Sequence, residues 1–260
     1  MNGIQEVRGS IPLTSTSDIK RFAGIDICSG CYVFALLTVR ECQILSWEIA
    51  VLPSMSGALP YILLSQTELA FIDVPIGLSE TPAPRTCDIL LRKALGKRHS
   101  SVFYVPCRKV VYAQYPEMQH EHLTGKRIQR QGLGLLRAIK EVDEALRRNP
   151  DLSEKLLESH PELCFQVLNL GQPLRYPKKT KEGKKERVAI LERYSTLFQH
   201  DYSKQMKKAR RIIDDILDAG CLALCAFLSV RYGISRIPEF EERDNFGLRM
   251  QVHYPCLPKT

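Results

Sequence analysis

Four aspartates, far apart in the chain, stand where a carboxylate is costly. Asp26 interrupts the apolar run Phe22-Ala23-Gly24-Ile25-Asp26-Ile27, and Asp73 follows Leu69-Ala70-Phe71-Ile72 and precedes Val74-Pro75. Asp215 and Asp218 lie in Ile212-Ile213-Asp214-Asp215-Ile216-Leu217-Asp218-Ala219, at the start of a long apolar segment. Removing water from a carboxylate is expensive, so one is rarely buried unless it is paired or bound to a metal. Carboxylates gathered at the ends of core elements suit a hard divalent cation, Mg2+ or Mn2+. At about 100° per residue of helix, Asp214, Asp215 and Asp218 share an arc of roughly 100°, and Asp215 and Asp218 are surface neighbours. The competing readings are an acidic first helical turn favoured by the helix dipole, and strand-end caps for Asp26 and Asp73. Lys207, Lys208, Arg210 and Arg211 read as an earlier turn of the same helix, which argues against the first of these.

Ser159-His160-Pro161-Glu162 is a second candidate. His160 could serve as acid or base, and Glu162 could orient water or bind a metal. A proline after His160 favours extended backbone and a sharp turn into a strand over Pro161–Leu170. A plain surface turn ahead of a buried strand explains the string equally well. The run Arg175 to Arg187 carries seven positive charges against two negative, with Lys178, Lys179 and Lys181 at its centre. It reads as a loop leading into a helix, a place to hold phosphates.

The whole chain has a net charge of +8, which favours an anionic partner, nucleic acid first. At 260 residues with 44% hydrophobic content it can bury one large core. The apolar stretch Ala219–Val230 is too short to span a membrane, and the N-terminus lacks the pattern of a secretory signal, so a cytoplasmic protein is expected. Nine cysteines with one C-x-x-C pair, Cys28 and Cys31, fit reduced thiols better than a zinc ribbon or a redox motif. Glycine-rich phosphate loops and a nucleophile elbow are absent from the sequence.

The elements that must position these groups follow from periodicity. Residues 1–20 read as a flexible tail. Three strands, Arg21–Ile27, Cys31–Val39 and Gln43–Val51, are separated by short breaks and so run antiparallel. A helix over Pro53–Ser65 leads to a fourth strand, Leu69–Val74, placed to pair parallel with the first. Residues from about 97 to 157 read as a helical insertion. Helices over Arg187–Phe198 and Lys208–Tyr232 follow the fifth strand, and residues 233–260 form a C-terminal extension. The order is α/β, with a central mixed sheet of three antiparallel strands followed by parallel ones.

Several strings together resemble a known family. Gly24-Ile25-Asp26, Ile72-Asp73-Val74-Pro75-Ile76-Gly77-Leu78, Arg85-x-Cys87-Asp88 and Ser100-Ser101-Val102-Phe103 come first in order. His160-Pro161-Glu162, Lys178-Lys179-Thr180 with Gly183 and Arg187, and Asp214-Asp215-Ile216-Leu217-Asp218-Ala219 complete the set. Over residues 21–232 the chain is similar to the family catalogued as domain of unknown function 429. That resemblance implies a ribonuclease H-like fold and a nuclease similar to the RuvC resolvases. By this analogy Asp26 and Asp73 are the strand ligands, and Asp215 and Asp218 are the closing-helix ligands. The chain departs from the family pattern at Ile27 and at Tyr32, where tryptophan is frequent.

The leading expectation is therefore a metal-dependent nuclease that binds two Mg2+ or Mn2+ ions through the four aspartates. Lys178, Lys179 and Lys181 would hold the phosphates. The rivals are a catalytically silent nucleic-acid-binding protein of the same fold and a nucleotide-binding ATPase-like relative. Convergence or separation of the four carboxylates discriminates among them.

Overall fold

The computed structural model of the chain describes residues 19–28, 30–57, 62, 66–198 and 212–258. The expected N-terminal tail, most of the helix read over Pro53–Ser65 and the basic turn from Lys207 to Arg211 lie outside the described residues.

Five strands form one mixed sheet in the order β3-β2-β1-β4-β5. Strands β1 (Lys20–Cys28), β2 (Cys31–Arg40) and β3 (Gln43–Leu52) make an antiparallel meander. Strand β4 (Thr67–Ile72) pairs parallel with β1, and the short β5 (Leu156–Glu158) pairs parallel with β4. The chain is thus a mixed α/β protein. Four helices lie between β4 and β5: α1 (Thr86–Leu95), α2 (Arg108–Val111), α3 (Pro116–Thr124) and α4 (Arg130–Arg148). After β5 come α5 (Pro161–Leu168), α6 (Lys181–Glu192) and α7 (Ile213–Tyr232). A two-stranded antiparallel sheet, β6 (Ile234–Ile237) with β7 (Val252–Pro255), follows α7. Among the described residues no helix is long and apolar enough to cross a membrane.

One expectation is corrected. Pro161–Leu170 is not a strand: Pro161–Leu168 is helix α5, and the strand that pairs with β4 is the three residues before Ser159. His160 is extended, as the residue before a proline must be. Pro161 then occupies the first helical turn, where its missing N–H costs nothing, and Glu162 there meets the positive end of the helix dipole.

Alternation along the strands sorts two cores onto the two faces of the sheet. Phe22, Leu69, Phe71 and Leu157 pack with α7 on one face. Ala23, Ile25, Ala70, Ile72 and Leu156 pack with α4 on the other. Every residue of α7 from Ile216 to Ser229 is buried, as befits a helix that is apolar all round. Gly24 sets how close α7 comes: a Cβ there would lie 2.0 Å from the Ala219 carbonyl oxygen and 2.3 Å from the Ala223 nitrogen. That close approach brings the first turns of α7 to the carboxyl end of β1.

Candidate metal centre

Register decides which way the strand aspartates point. Ile25 is opposite Ile72 in the parallel pair, and the Asp73 N–H donates to the Ile25 carbonyl at 2.9 Å. One residue on, Asp26 and Asp73 lie side by side on the face opposite Ile25 and Ile72, which is the face α7 covers. Pro75 ends the ladder just past Asp73. On the facing helix Asp218 is buried, while Asp215 is half-buried and lines the cleft.

These groups feel one another electrostatically. Burial pushes Asp26 well above the usual carboxylate range, and the charges of Asp218, Asp73 and Asp215 push it further. Asp73 is also raised by burial, against the pull of His160 and Lys178. Asp215 is raised by burial despite a hydrogen bond from the Cys28 thiol. The Ile27 N–H donates to Asp26 Oδ1 at 2.8 Å, which locks that carboxylate's orientation. The cation present is Lys178, whose Nζ lies 2.8 Å from Asp218 Oδ2. The attraction of Asp218, followed by that of Asp26 and Asp73, raises its pKa above the ordinary lysine value.

Local structure explains why Lys178 reaches the cluster. The Thr180 N–H and hydroxyl both donate to the Pro177 carbonyl, at 3.1 and 2.8 Å, which closes a turn around Lys178 and Lys179. Thr180 Oγ1 then caps α6 by accepting from the Gly183 N–H at 3.0 Å. Gly183 is required there, because a Cβ would lie 2.0 Å from the Pro177 oxygen. Helix α6 is anchored in turn: buried Arg187 pairs with Glu162 at 2.7 Å, and Lys184 pairs with Asp214 at 3.2 Å.

Asp26, Asp73 and Asp215 open onto a cleft of about 560 Å³ whose walls include Val74, Phe103, Val105, Leu135 and His160, with Arg130 at the start of α4; Asp218 lies behind it, paired with Lys178. The same cleft is lined by a second acidic group. Asp88 and Glu158 flank the guanidinium of Arg85, and all three are buried. Arg85 Nη2 lies 2.6 Å from Asp88 Oδ1 and 2.7 Å from Glu158 Oε1. Its Nη1 donates to Glu158 Oε2 at 2.9 Å and to the Ile76 carbonyl at 2.9 Å, and its Nε to Asp88 Oδ2 at 3.2 Å. This clamp ties α1 and the end of β5 to the loop that follows Asp73.

Among the described residues, Cys87, Asp88 and Glu158 form the one group whose three possible ligand atoms all lie within 4.8 Å of one another, so they could hold a metal ion. The four aspartates are spaced more widely than that. In the Cys87 group the guanidinium already satisfies Asp88 and Glu158, and burial pushes the Cys87 thiol well up, away from the thiolate a metal needs.

A family model for proteins of unknown function, DUF429, matches residues 24–243. The chain belongs to that family. No curated protein and no solved structure matches it. Of the residues singled out from sequence in this DUF429 protein, Asp26, Asp73, Asp215, Asp218, His160 and Lys178 meet around the cleft. Glu162 does not line it: its carboxylate is held by Arg187 and, at 3.4 Å, by Arg98. Lys179 and Lys181 are exposed beside the cluster rather than in it. Arg85, Asp88, Glu158 and Arg130 carry no role in the sequence reading. The string Arg85-x-Cys87-Asp88 is the available signal, but its partner, Glu158, lies 73 residues further along the chain.

Proposed function

We propose that this DUF429 protein has a ribonuclease H-like fold and is a metal-dependent nuclease that hydrolyses nucleic-acid phosphodiester bonds. The observation that carries the reading is the side-by-side placement of Asp26 and Asp73 on adjacent parallel strands, facing Asp215 and Asp218 on the closing helix. The strand order, antiparallel for β1–β3 and parallel for β1, β4 and β5, supports the fold assignment.

The donor set fits a hard cation. It consists of carboxylate oxygens, two of its members are buried and two half-buried, and they repel one another with one ammonium among them. Asp26, Asp73, Asp215 and Asp218 would hold Mg2+ or Mn2+. Such an ion supplies a water of lowered pKa and stabilises charge on the leaving oxygen. The chain's own residues do the rest. The Ile27 N–H holds Asp26 in one orientation, and the Arg85 clamp fixes the backbone just after Asp73. Arg130 at the rim faces the anionic strand, and the exposed Lys179 and Lys181 extend that positive field outward. The cleft has the volume of a small-ligand site, so the target unit enters unpaired or turned out of its stack.

Incubation of the full chain with labelled single-stranded, duplex and branched DNA and RNA, with Mg2+, Mn2+ or a chelator, tests the reading. Cleavage that needs the metal and disappears in Asp26→Asn supports it. Binding without cleavage under all metals would identify a silent nucleic-acid-binding protein instead.

A further inference from the structure

Sequence alone marks Lys178 as a phosphate ligand within a lysine-rich loop. Its place in the structure is different. The side chain is part-exposed and lines the cleft, but its ammonium is engaged at 2.8 Å by Asp218 Oδ2. More than a choice of rotamer puts it there. The Pro177–Thr180 turn, the Thr180 cap and the close approach at Gly183 fix the backbone that carries it. Lys179 and Lys181, on the same loop, stay exposed and outside the cluster. Asp218 is buried on α7 among other carboxylates, so the ammonium is the charge partner that makes its burial tolerable.

We infer that the acidic centre takes a single divalent ion, held chiefly by Asp26 and Asp73, and that the Lys178 ammonium stands in place of a second ion. The inference rests on the metal reading above and changes its stoichiometry. Three observations carry it. Lys178 already occupies an oxygen of Asp218, one of the two helix ligands that a second ion would need. Asp215 accepts from the Cys28 thiol, so each helix aspartate already has one oxygen engaged. No three of the four carboxylates have ligand atoms within 4.8 Å of one another, so three of them do not close on one ion as they stand, which fits an ion held by the two strand aspartates. In this arrangement the ammonium is a fixed positive charge that faces the reacting phosphate from the side of α7. It needs no metal to be loaded there, and its removal leaves Asp218 buried without a counter-charge.

Mn2+ titration of the full chain near pH 7, followed by electron paramagnetic resonance and calorimetry, counts the ions. Asp26→Asn identifies which of them belong to this centre. The parent is expected to bind one ion that Asp26→Asn abolishes. Lys178→Met is expected to bind a second, and to hold the first about tenfold more tightly, because a competing cation has gone. Lys178→Arg keeps the charge and is expected to keep the count at one. Two ions in the parent, or an unchanged count and affinity in Lys178→Met, would overturn the inference and leave the metal reading standing. No Mn2+ sensitive to Asp26→Asn in either protein would remove the metal reading itself and this inference with it. The count in the parent decides the matter even if Lys178→Met fails to fold.

Discussion

Two acidic groups contribute to one cleft from opposite faces of the sheet, and they are neutralised to very different degrees. Ile72 separates them in register: its partner on β5 is Glu158, while the next residue, Asp73, turns to the α7 side. At Glu158 and Asp88 a guanidinium meets all four carboxylate oxygens, and its remaining capacity is used on backbone carbonyls. At the aspartates one lysine pairs with Asp218 alone, and Asp26, Asp73 and Asp215 are raised in pKa by burial and, at Asp26, by the neighbouring carboxylates; burial raises Glu158 as well, but there the Arg85 guanidinium opposes it directly. Asp26 and Asp218 are as buried as Asp88 and Glu158, so burial alone does not explain the difference at those residues. A buried charge that is fully paired maintains the fold, whereas one left under-paired is held in readiness for something the chain does not itself supply.

The largest effect that could break this comparison lies at Arg85. Arg85→Met leaves two buried carboxylates without a partner and is expected to destabilise the protein by about 3–5 kcal/mol in denaturant unfolding. Asp26→Asn, at a site equally buried, is expected to leave stability unchanged or raise it when metal is absent, because it removes repulsion. If Arg85→Met is tolerated and Asp26→Asn unfolds the chain, the two regions have been assigned the wrong way round.

Catalysis should divide in the opposite sense. Asp26→Asn and Asp73→Asn are each expected to lower metal-dependent cleavage by more than about 100-fold, beyond what loss of an outer-shell partner costs, with circular dichroism unaltered. A folded Asp73→Asn that cuts at the parental rate would detach that residue from the mechanism.

The pH dependence of stability sharpens the same contrast. Asp26, Asp73 and Asp215 have folded pKa values raised above 3.8, the ordinary value. Between that value and the folded one, the native state holds more protons than the unfolded state. Stability of the metal-free protein should therefore fall as pH rises from about 4 through the folded pKa values. Added Mg2+ should flatten the decline above this range, and Asp26→Asn should reduce it without metal. Thermal melts from about pH 4 to about pH 8, with Mg2+ and with chelator, measure this directly. A metal-free protein that gains stability over that range, and loses nothing of the gain in Asp26→Asn, would show the cluster to be neutralised already.

The smallest effect lies outside the cleft. Replacing Lys179 and Lys181 together with alanine should reduce the slope of log affinity for nucleic acid against log salt by about 0.7–0.9 for each phosphate no longer neutralised. An unchanged slope would reduce those two lysines to surface charge.

Much of the fold and of the candidate site is legible in the sequence. Asp26 and Asp73 stand out because carboxylates inside apolar runs are rare, and the short breaks around Gly30 and Glu41 make an antiparallel β1–β3 readable. Helix α5 reads as a strand because eight residues, mostly apolar, carry no clear period, and the proline that begins the helix equally suits the start of a strand. The clamp is invisible in sequence because Arg85 and Glu158 become neighbours only once β5 lies beside β4. Lys178 is visible but not its direction: composition marks a basic loop, whereas the turn capped by Thr180 and the close approach at Gly183 decide which lysine points inward.

The most direct test of the central claim is anomalous scattering from Mn2+ in crystals of the full chain. The account predicts a peak shared by the carboxylates of Asp26 and Asp73, beside the Lys178 ammonium. A peak at Cys87, Asp88 and Glu158 alone, or no peak near the aspartates at millimolar Mn2+, would contradict it.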